Sequence, residues 1–267
     1  MLDILVGVTN TRAWHEQNLQ RNPEHYSAIR HFGSRFISVL QDCTGGQVLY
    51  NVATVDGQLV KYGCFNVDVL LAELREWNTL YLSGRLHKPV QIVKHHEEIA
   101  KANETNLGFA AAAALLLLPP KFSDMELFTQ ISGLSYSGDV RMGVVEHPQK
   151  VQRLVVPNLD RFQGLYGTAL AQLPMQRKED GWEQEDSAAA RLMLYRAIAP
   201  GLRRRMGSSA EQVVAESREA CSNLTLSAVR KLVGPPSRSQ MAKGAVSFGF
   251  GRSLRYAIHK FRRAAGR

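Results

Sequence analysis

Four stretches of this chain carry side chains that could do chemistry on phosphate. Asp3 stands inside Leu2-Asp3-Ile4-Leu5-Val6-Gly7-Val8, an otherwise apolar run. A carboxylate beside such a strand is a hard oxygen ligand suited to Mg²⁺, which keeps its other positions for phosphate oxygens. A simply solvated acid explains the same residue. Lys61-Tyr62-Gly63 places an ammonium on a β-rich run, where it can meet a triphosphate as a point charge; an exposed strand lysine is the competing reading. Arg85, His87 and Lys88 cluster after a helix beside Gly84. They could bind phosphate, or form a solvated basic loop. Gly133-Leu134-Ser135-Tyr136-Ser137-Gly138-Asp139-Val140-Arg141-Met142 is the most unusual stretch. The Ser135 and Ser137 hydroxyls and free backbone N–H groups suit phosphate, Arg141 suits it bidentately, and Asp139 could orient Arg141 or a metal. A self-bonded structural turn would use the same residues. The eight histidines show no metal-ligand spacing, and His95-His96 read as surface residues. No serine-hydrolase elbow, P-loop or dinucleotide fingerprint occurs.

These residues need elements to hold them. Leu2 to Val8 reads as a buried strand. Thr9-Asn10-Thr11 offers a cap for a helix over 12–20. Tyr26 to Leu40 carries a helical stripe at Ile29, Phe32, Phe36, Ile37 and Leu40. Val48 to Thr54 and Gln58 to Phe65 flank Asp56-Gly57, a two-residue hairpin signal. Helices are expected over 69–81 and 97–118, with a short strand over Val90–Lys94 between them. Pro119-Pro120 stops the second helix. Ser123-Asp124-Met125-Glu126 is a capping box. Two helical stretches over 149–156 and 158–170 are divided by Pro157. Residues 175–186 read as a polar linker, and 188–206 and 210–220 as helices. The result is an α/β fold with a first unit over 1–118, a small helical unit of winged-helix type over 119–178, and a C-terminal region over 179–267.

Composition narrows the partner. The chain has 267 residues, 45% of them hydrophobic, which is enough for a real core. The net charge is +9, and it is unevenly placed: from Ala220 onward there are ten Lys or Arg and no acid. A polyanion met through the tail follows, either nucleic acid or an anionic membrane. Leu254, Ala257, Ile258, Phe261 and Ala265 share one helical face, with Arg252, Arg255, His259, Lys260, Arg262 and Arg263 on the other. This is a basic amphipathic helix that can lie in a membrane interface. The longest apolar run, Leu107 to Leu118, has twelve residues; a spanning helix needs about 20. A buried core helix is expected there. Cys43, Cys64 and Cys221 lie far apart and read as buried structural thiols.

The sequence resembles the mitochondrial translocator assembly and maintenance family, the CTP-dependent phosphatidate cytidylyltransferases. The resemblance rests on Met1 to Val8, Ala13-Trp14-His15, Asn18-Leu19, His25-Tyr26-Ser27, Lys61-Tyr62-Gly63 and Trp77-Asn78-Thr79-Leu80-Tyr81. It continues through Gly84-Arg85-Leu86-His87-Lys88-Pro89-Val90, Gly133 to Met142, Arg238-Ser239-Gln240, Lys243-Gly244 and Tyr256. It implies a nucleotidyltransferase-like domain followed by a winged-helix-like domain, with CTP between them. It also implies attack of phosphatidic acid on CTP to give CDP-diacylglycerol and pyrophosphate, feeding cardiolipin synthesis. Asp3 would be the Mg²⁺ ligand, with Lys61, Asp139 and Arg141 as the other catalytic residues. Tyr62, Arg85, Lys88, Ser135 and Ser137 would bind the nucleotide. Leu254, Arg255, Ile258, Lys260, Phe261 and Arg262 would hold the chain peripherally on the anionic matrix face of the mitochondrial inner membrane, with no nucleic-acid partner. The family carries a glycine-serine turn ahead of the Asp strand, and this chain starts at that strand; the expectation is a truncated or inactive form, with the true N-terminus and targeting segment upstream. The competing readings are a winged-helix nucleic-acid-binding protein and a catalytically inactive scaffold of the same fold.

Overall fold

The computed structural model describes residues 2–43, 45–140 and 149–248, with side chains through residue 244. Arg141 and the expected tail helix, with Leu254, Arg255, Ile258, Lys260, Phe261 and Arg262, lie outside the described residues. The chain is mixed α/β and divides into two compact units, residues 1–70 with 235–267, and residues 71–234.

The first unit opens with β1 (Leu2–Val8) and α1 (Thr11–Arg21), passes through two short 3₁₀ turns, and continues with α2 (Gly33–Asp42), β2 (Leu49–Val55) and β3 (Gln58–Asn66). Asn10 caps α1, its side chain accepting from the Ala13 amide. β2 and β3 are the expected antiparallel hairpin: Asp56 and Gly57 both have positive φ, at 48° and 75°, as a two-residue turn between twisted strands requires. β1 pairs parallel to β3, giving the order β1-β3-β2. The expectation of a buried first strand is corrected here. β1 is an edge among the described strands, and Leu2, Ile4 and Leu5 are exposed. An uninterrupted apolar run looks the same in the middle of a sheet and at its rim. The single stripe expected over 26–40 is also broken. Residues 28–32 form a 3₁₀ turn before α2, so Ile29 and Ile37 reach the core while Phe32 and Phe36 stay exposed.

The helices α3 (Val67–Glu76) and α4 (Ser83–Leu86) lead into the second unit, whose axis is α5 (Glu97–Leu117). Its Ala110 to Leu116 run is buried throughout, as a core helix should be. No described helix is long and apolar enough to cross a membrane. The α5 end is closed from outside the helix. Gln184 Nε2 donates to the carbonyls of Leu115, Leu118 and Pro119, and Arg218 Nη1 to those of Leu115 and Leu118. After a two-residue strand β4 (Lys121–Phe122), Ser123 and Glu126 form the expected capping box of α6 (Asp124–Leu134). The helices α7 (Lys150–Val155) and α8 (Leu159–Leu170) follow, separated by a turn at Pro157.

Two expectations fail in this unit. Residues 175–186 are no linker: β5 (Met175–Lys178) and β6 (Gly181–Gln184) form a hairpin that pairs with β4. Their polar composition reflects an exposed β5 beside a half-buried β6, not missing structure. Val90–Lys94 forms no strand; residues 89–96 are an irregular connection from α4 to α5. The helix expected over 188–206 is split at Pro200 into α9 (Ala188–Ala197) and α10 (Pro200–Met206), and α11 (Ala210–Glu216) precedes α12 (Arg218–Phe248). The α12 residues from Pro235 onward belong to the first unit. Cys64 and Cys221 are buried as expected, but Cys43 is exposed.

Candidate active site

In the first unit the site is written on one face of β3. Asp3 of β1 and Val52 of β2 both stand in register with Lys61. Residues in register project from the same side of a sheet, so Asp3 and Lys61 share a face. The Lys61 ammonium lies 4.1 Å from the centroid of the Tyr50 ring, a cation–π contact that holds the side chain without neutralising it. Asp3 is exposed, and its carboxylate makes no hydrogen bond or ion pair within the described part of the chain. One uncommitted carboxylate fits Mg²⁺ held mainly by phosphate oxygens, since that ion commonly takes one or two protein carboxylates. No group of three potential ligands occurs among the described residues.

Tyr62 is on the opposite face, because neighbours on a strand alternate. Its hydroxyl is committed to packing. It accepts from Asn18 Nδ2 at 3.1 Å and lies 2.6 Å from His25 Nδ1. Asn18 Nδ2 also donates to the Tyr26 hydroxyl at 2.8 Å, and that hydroxyl lies 2.9 Å from His15 Nδ1. His15 Nε2 lies 2.9 Å from Gln41 Oε1. An amide oxygen can only accept, so His15 carries its proton on Nε2, and Nδ1 accepts the hydrogen bond that the Tyr26 hydroxyl donates. Burial lowers the His15 pKa, against the raising effects of Gln41 and Asp42, which agrees with a neutral ring. The same burial pushes the Cys64 thiol up to about 12, so this cysteine is no nucleophile. The His15, Asn18 and His25-Tyr26 motif residues therefore bind α1 and its following turn to the sheet. The Gln240 and Lys243 side chains do similar work, donating to the carbonyls of Gly45, Val48 and Gln41.

In the second unit the site is cationic and built around Lys88. Its ammonium donates to the Gly84 carbonyl at 2.7 Å and to Ser135 Oγ at 2.9 Å. It lies 4.8 Å from the Tyr136 ring centroid, and Lys150 Nζ lies 5.0 Å from the same ring. Arg85 donates to the Tyr81 hydroxyl at 3.1 Å and stacks on that ring. Three cations thus converge around two aromatic rings. Burial first, then Arg85 and Lys150, lower the Lys88 pKa to about 7. The Lys88 ammonium is enclosed although the residue keeps some exposed area. An arriving anion would relieve this repulsion, which is the electrostatic definition of an anion site.

Close packing fixes the cluster. A Cβ on Gly84 would stand 2.4 Å from the Ser135 Cβ, so only glycine lets α4 meet the turn after α6. Behind it, Asn106 Oδ1 accepts from Trp77 Nε1 at 2.7 Å and from His87 Nε2 at 3.1 Å. The His87 pKa falls to about 3, chiefly through burial, so this ring is neutral and is an anchor rather than a phosphate ligand. Tyr166 donates its hydroxyl proton to the His87 carbonyl. Ser137 Oγ donates to the Gly133 carbonyl, closing the end of α6. Asp139 is buried, its amide donating to the Tyr136 carbonyl.

Comparison with known proteins identifies the family. A family model described as mitochondrial phosphatidate cytidylyltransferase matches residues 1–263. The chain belongs to that family. A Bos taurus protein named mitochondrial phosphatidate cytidylyltransferase is 36% identical over 282 residues, covering 97% of this chain and 83% of that protein. Proteins of the same name from Xenopus laevis and Drosophila melanogaster are 35% and 36% identical, each over 97% of this chain. The family resemblance grouped Arg85, Lys88 and Ser135 as nucleotide-binding residues, and the fold sets Arg85 and Ser135 beside Lys88. Sequence reasoning missed Lys150 and Tyr136 as members of the cluster. Tyr136 lay inside the singled-out turn, but Lys150 sits in an ordinary helical pattern, and only folding reveals its position.

Proposed function

We propose that this chain is a CTP-dependent phosphatidate cytidylyltransferase. The observation that carries the reading is the Lys88-centred anion site, found in a chain that matches the family over nearly its whole length. An oxygen of the phosphatidate phosphate attacks the α-phosphorus of CTP. The bond from that phosphorus to its bridging oxygen breaks, and pyrophosphate leaves. Lys61 in the first unit, and Lys88, Arg85 and Lys150 in the second, each supply positive charge for phosphate, and charge neutralisation with positioning is most of what phosphoryl transfer asks of a protein. Mg²⁺, held by Asp3 and the triphosphate, would supply further charge neutralisation. Asp139 and Arg141 are assigned to the same nucleotide and phosphate chemistry, and Ser135 and Ser137 to phosphate binding. Tyr62 acts on this site by holding β3 in place.

The finer architecture belongs to this proposal as well. Residues 1–118 carry the nucleotidyltransferase-like part, and the winged-helix-like part begins at residue 119. The β5–β6 hairpin following α8 supports a wing in the latter. The assay is conversion of CTP and phosphatidic acid to CDP-diacylglycerol with Mg²⁺. Appearance of that lipid with equimolar pyrophosphate is expected; turnover of a different acceptor, without lipid product, overturns the substrate assignment.

The C-terminal segment over 252–267 would bring the enzyme to the anionic matrix face of the inner membrane. Lys and Arg contribute roughly 1 kcal/mol each near such a surface, and Leu254, Ile258 and Phe261 add apolar burial that salt does not screen. Vesicle flotation tests this. Replacing those three with Ser should weaken retention even at low salt, whereas replacing Arg255, Lys260 and Arg262 with Gln should remove the preference for anionic lipid. If the Ser variant floats like the parent and the basic residues instead confer tight duplex RNA binding, the tail is a nucleic-acid arm.

A further inference from the structure

The connection from α4 to α5 reads Pro89-Val90-Gln91-Ile92-Val93-Lys94-His95-His96. Its composition is that of a strand interior, yet it forms no strand, and Val90, Ile92 and Val93 are 45%, 62% and 91% exposed. One exposed valine is ordinary; an apolar group this concentrated, on a loop that no described residue covers, marks a surface that meets something. The one formally charged residue on it, Lys94, is positive and exposed, and no carboxylate occurs from residue 89 to 96. The first acids, Glu97 and Glu98, open α5, where the positive end of the helix offsets them. The loop also begins one residue after Lys88, whose ammonium is the centre of the anion site.

We propose that residues 89–96 insert into an anionic lipid bilayer beside the Lys88 site, so that a phosphatidate phosphate reaches Lys88 while its acyl chains stay in the membrane. The inference rests on phosphatidate being the substrate. Drawing a two-chain lipid into water exposes about 0.8 kcal/mol of apolar surface per methylene. An enzyme with no described membrane-crossing helix must therefore carry its site to the headgroup level. Branched apolar side chains on a short loop, framed by cations and joined directly to a phosphate-binding lysine, have the chemistry for that depth. A protein groove would fit the apolar residues but leaves the adjoining anion site without a reason.

Two measurements on the full chain test this. In the first, Val93→Cys in a Cys43→Ser background carries an environment-sensitive fluorophore. Vesicles containing phosphatidate should shift its emission to the blue, and bromine on the lipid acyl chains should quench it. In the second, Ile92→Ser with Val93→Ser is compared with the parent on long-chain phosphatidate in vesicles and on a dispersed short-chain phosphatidate. The variant should lose about tenfold in kcat/KM on vesicles, in line with two apolar side chains no longer buried, and keep parental activity on the short-chain lipid. An emission spectrum indifferent to vesicles, or equal losses on both substrates, overturns the proposal. A parent that converts neither lipid, with the fluorophore still moving into the bilayer, overturns the substrate reading instead.

Discussion

Lys88→Met should make the protein more stable and nearly inactive. The two effects share one cause. In the folded chain Lys88 is enclosed and faces Arg85 and Lys150, and its pKa drops from 10.5 to about 7. The unfolded chain therefore binds more protons than the folded one between those two values. Stability must rise with pH across that window, and the penalty is fully present below pH 7 and absent above 10.5. Methionine fills similar space without charge and should gain about 1–3 kcal/mol near neutral pH, as apolar replacements of buried charges often do. The gain should be largest at pH 6.5 and shrink by pH 9, which paired thermal melts will read. Activity moves the other way, because removing one preorganised charge donor costs about 10²–10³ in turnover. A variant that melts below the parent at every pH, or turns over normally, would remove Lys88 from the centre of the site.

What the sequence disclosed depended on how local the physics was. The Asp56-Gly57 turn, the Ser123–Glu126 capping box and the α5 core helix are decided by a few adjacent residues, and all three stand as expected. Val90–Lys94 failed because β-branched residues specify a strand only where a neighbouring strand exists to pair with. The 175–186 segment failed in the opposite direction: its strands pair with one another and with Lys121-Phe122, so they need little apolar character to form. Phe32 and Phe36 belonged to the right periodicity, but a 3₁₀ turn shifted its phase. At the site, strand alternation alone places Lys61 and Tyr62 on opposite faces, and that much was legible in advance. That the resemblance motifs serve two purposes was not. His15, Tyr26, Trp77 and His87 are hydrogen-bonded anchors, whereas Lys61, Arg85 and Lys88 present charge. Motif spacing gives residue types, and only the folded surroundings separate a neutral anchor from a group that presents charge.

Lys61→Ala should lower kcat/KM by about 2–4 kcal/mol of transition-state stabilisation while leaving the fold intact. The residue lies on β3, between β1 and β2, which fixes its backbone on both sides. The Tyr50 ring restricts its side chain without cancelling its charge. A cation so placed loses little freedom when a polyphosphate arrives, and preorganisation of this kind separates a catalytic charge from a surface one. Asp3 in register beside it supplies the opposite sign, so the pair can treat metal and phosphate on one face of one sheet. The side chain is only half-buried, so the melting temperature should hardly move. Lys61→Arg is the informative control. It keeps the charge but changes its shape and reach, and bidentate geometry does not substitute for a point charge over a ring. Partial activity in the Arg variant with almost none in the Ala variant would assign the effect to charge placed at that position. Near-parental turnover in both, at saturating CTP and Mg²⁺, would show that this face of the sheet does not meet the triphosphate.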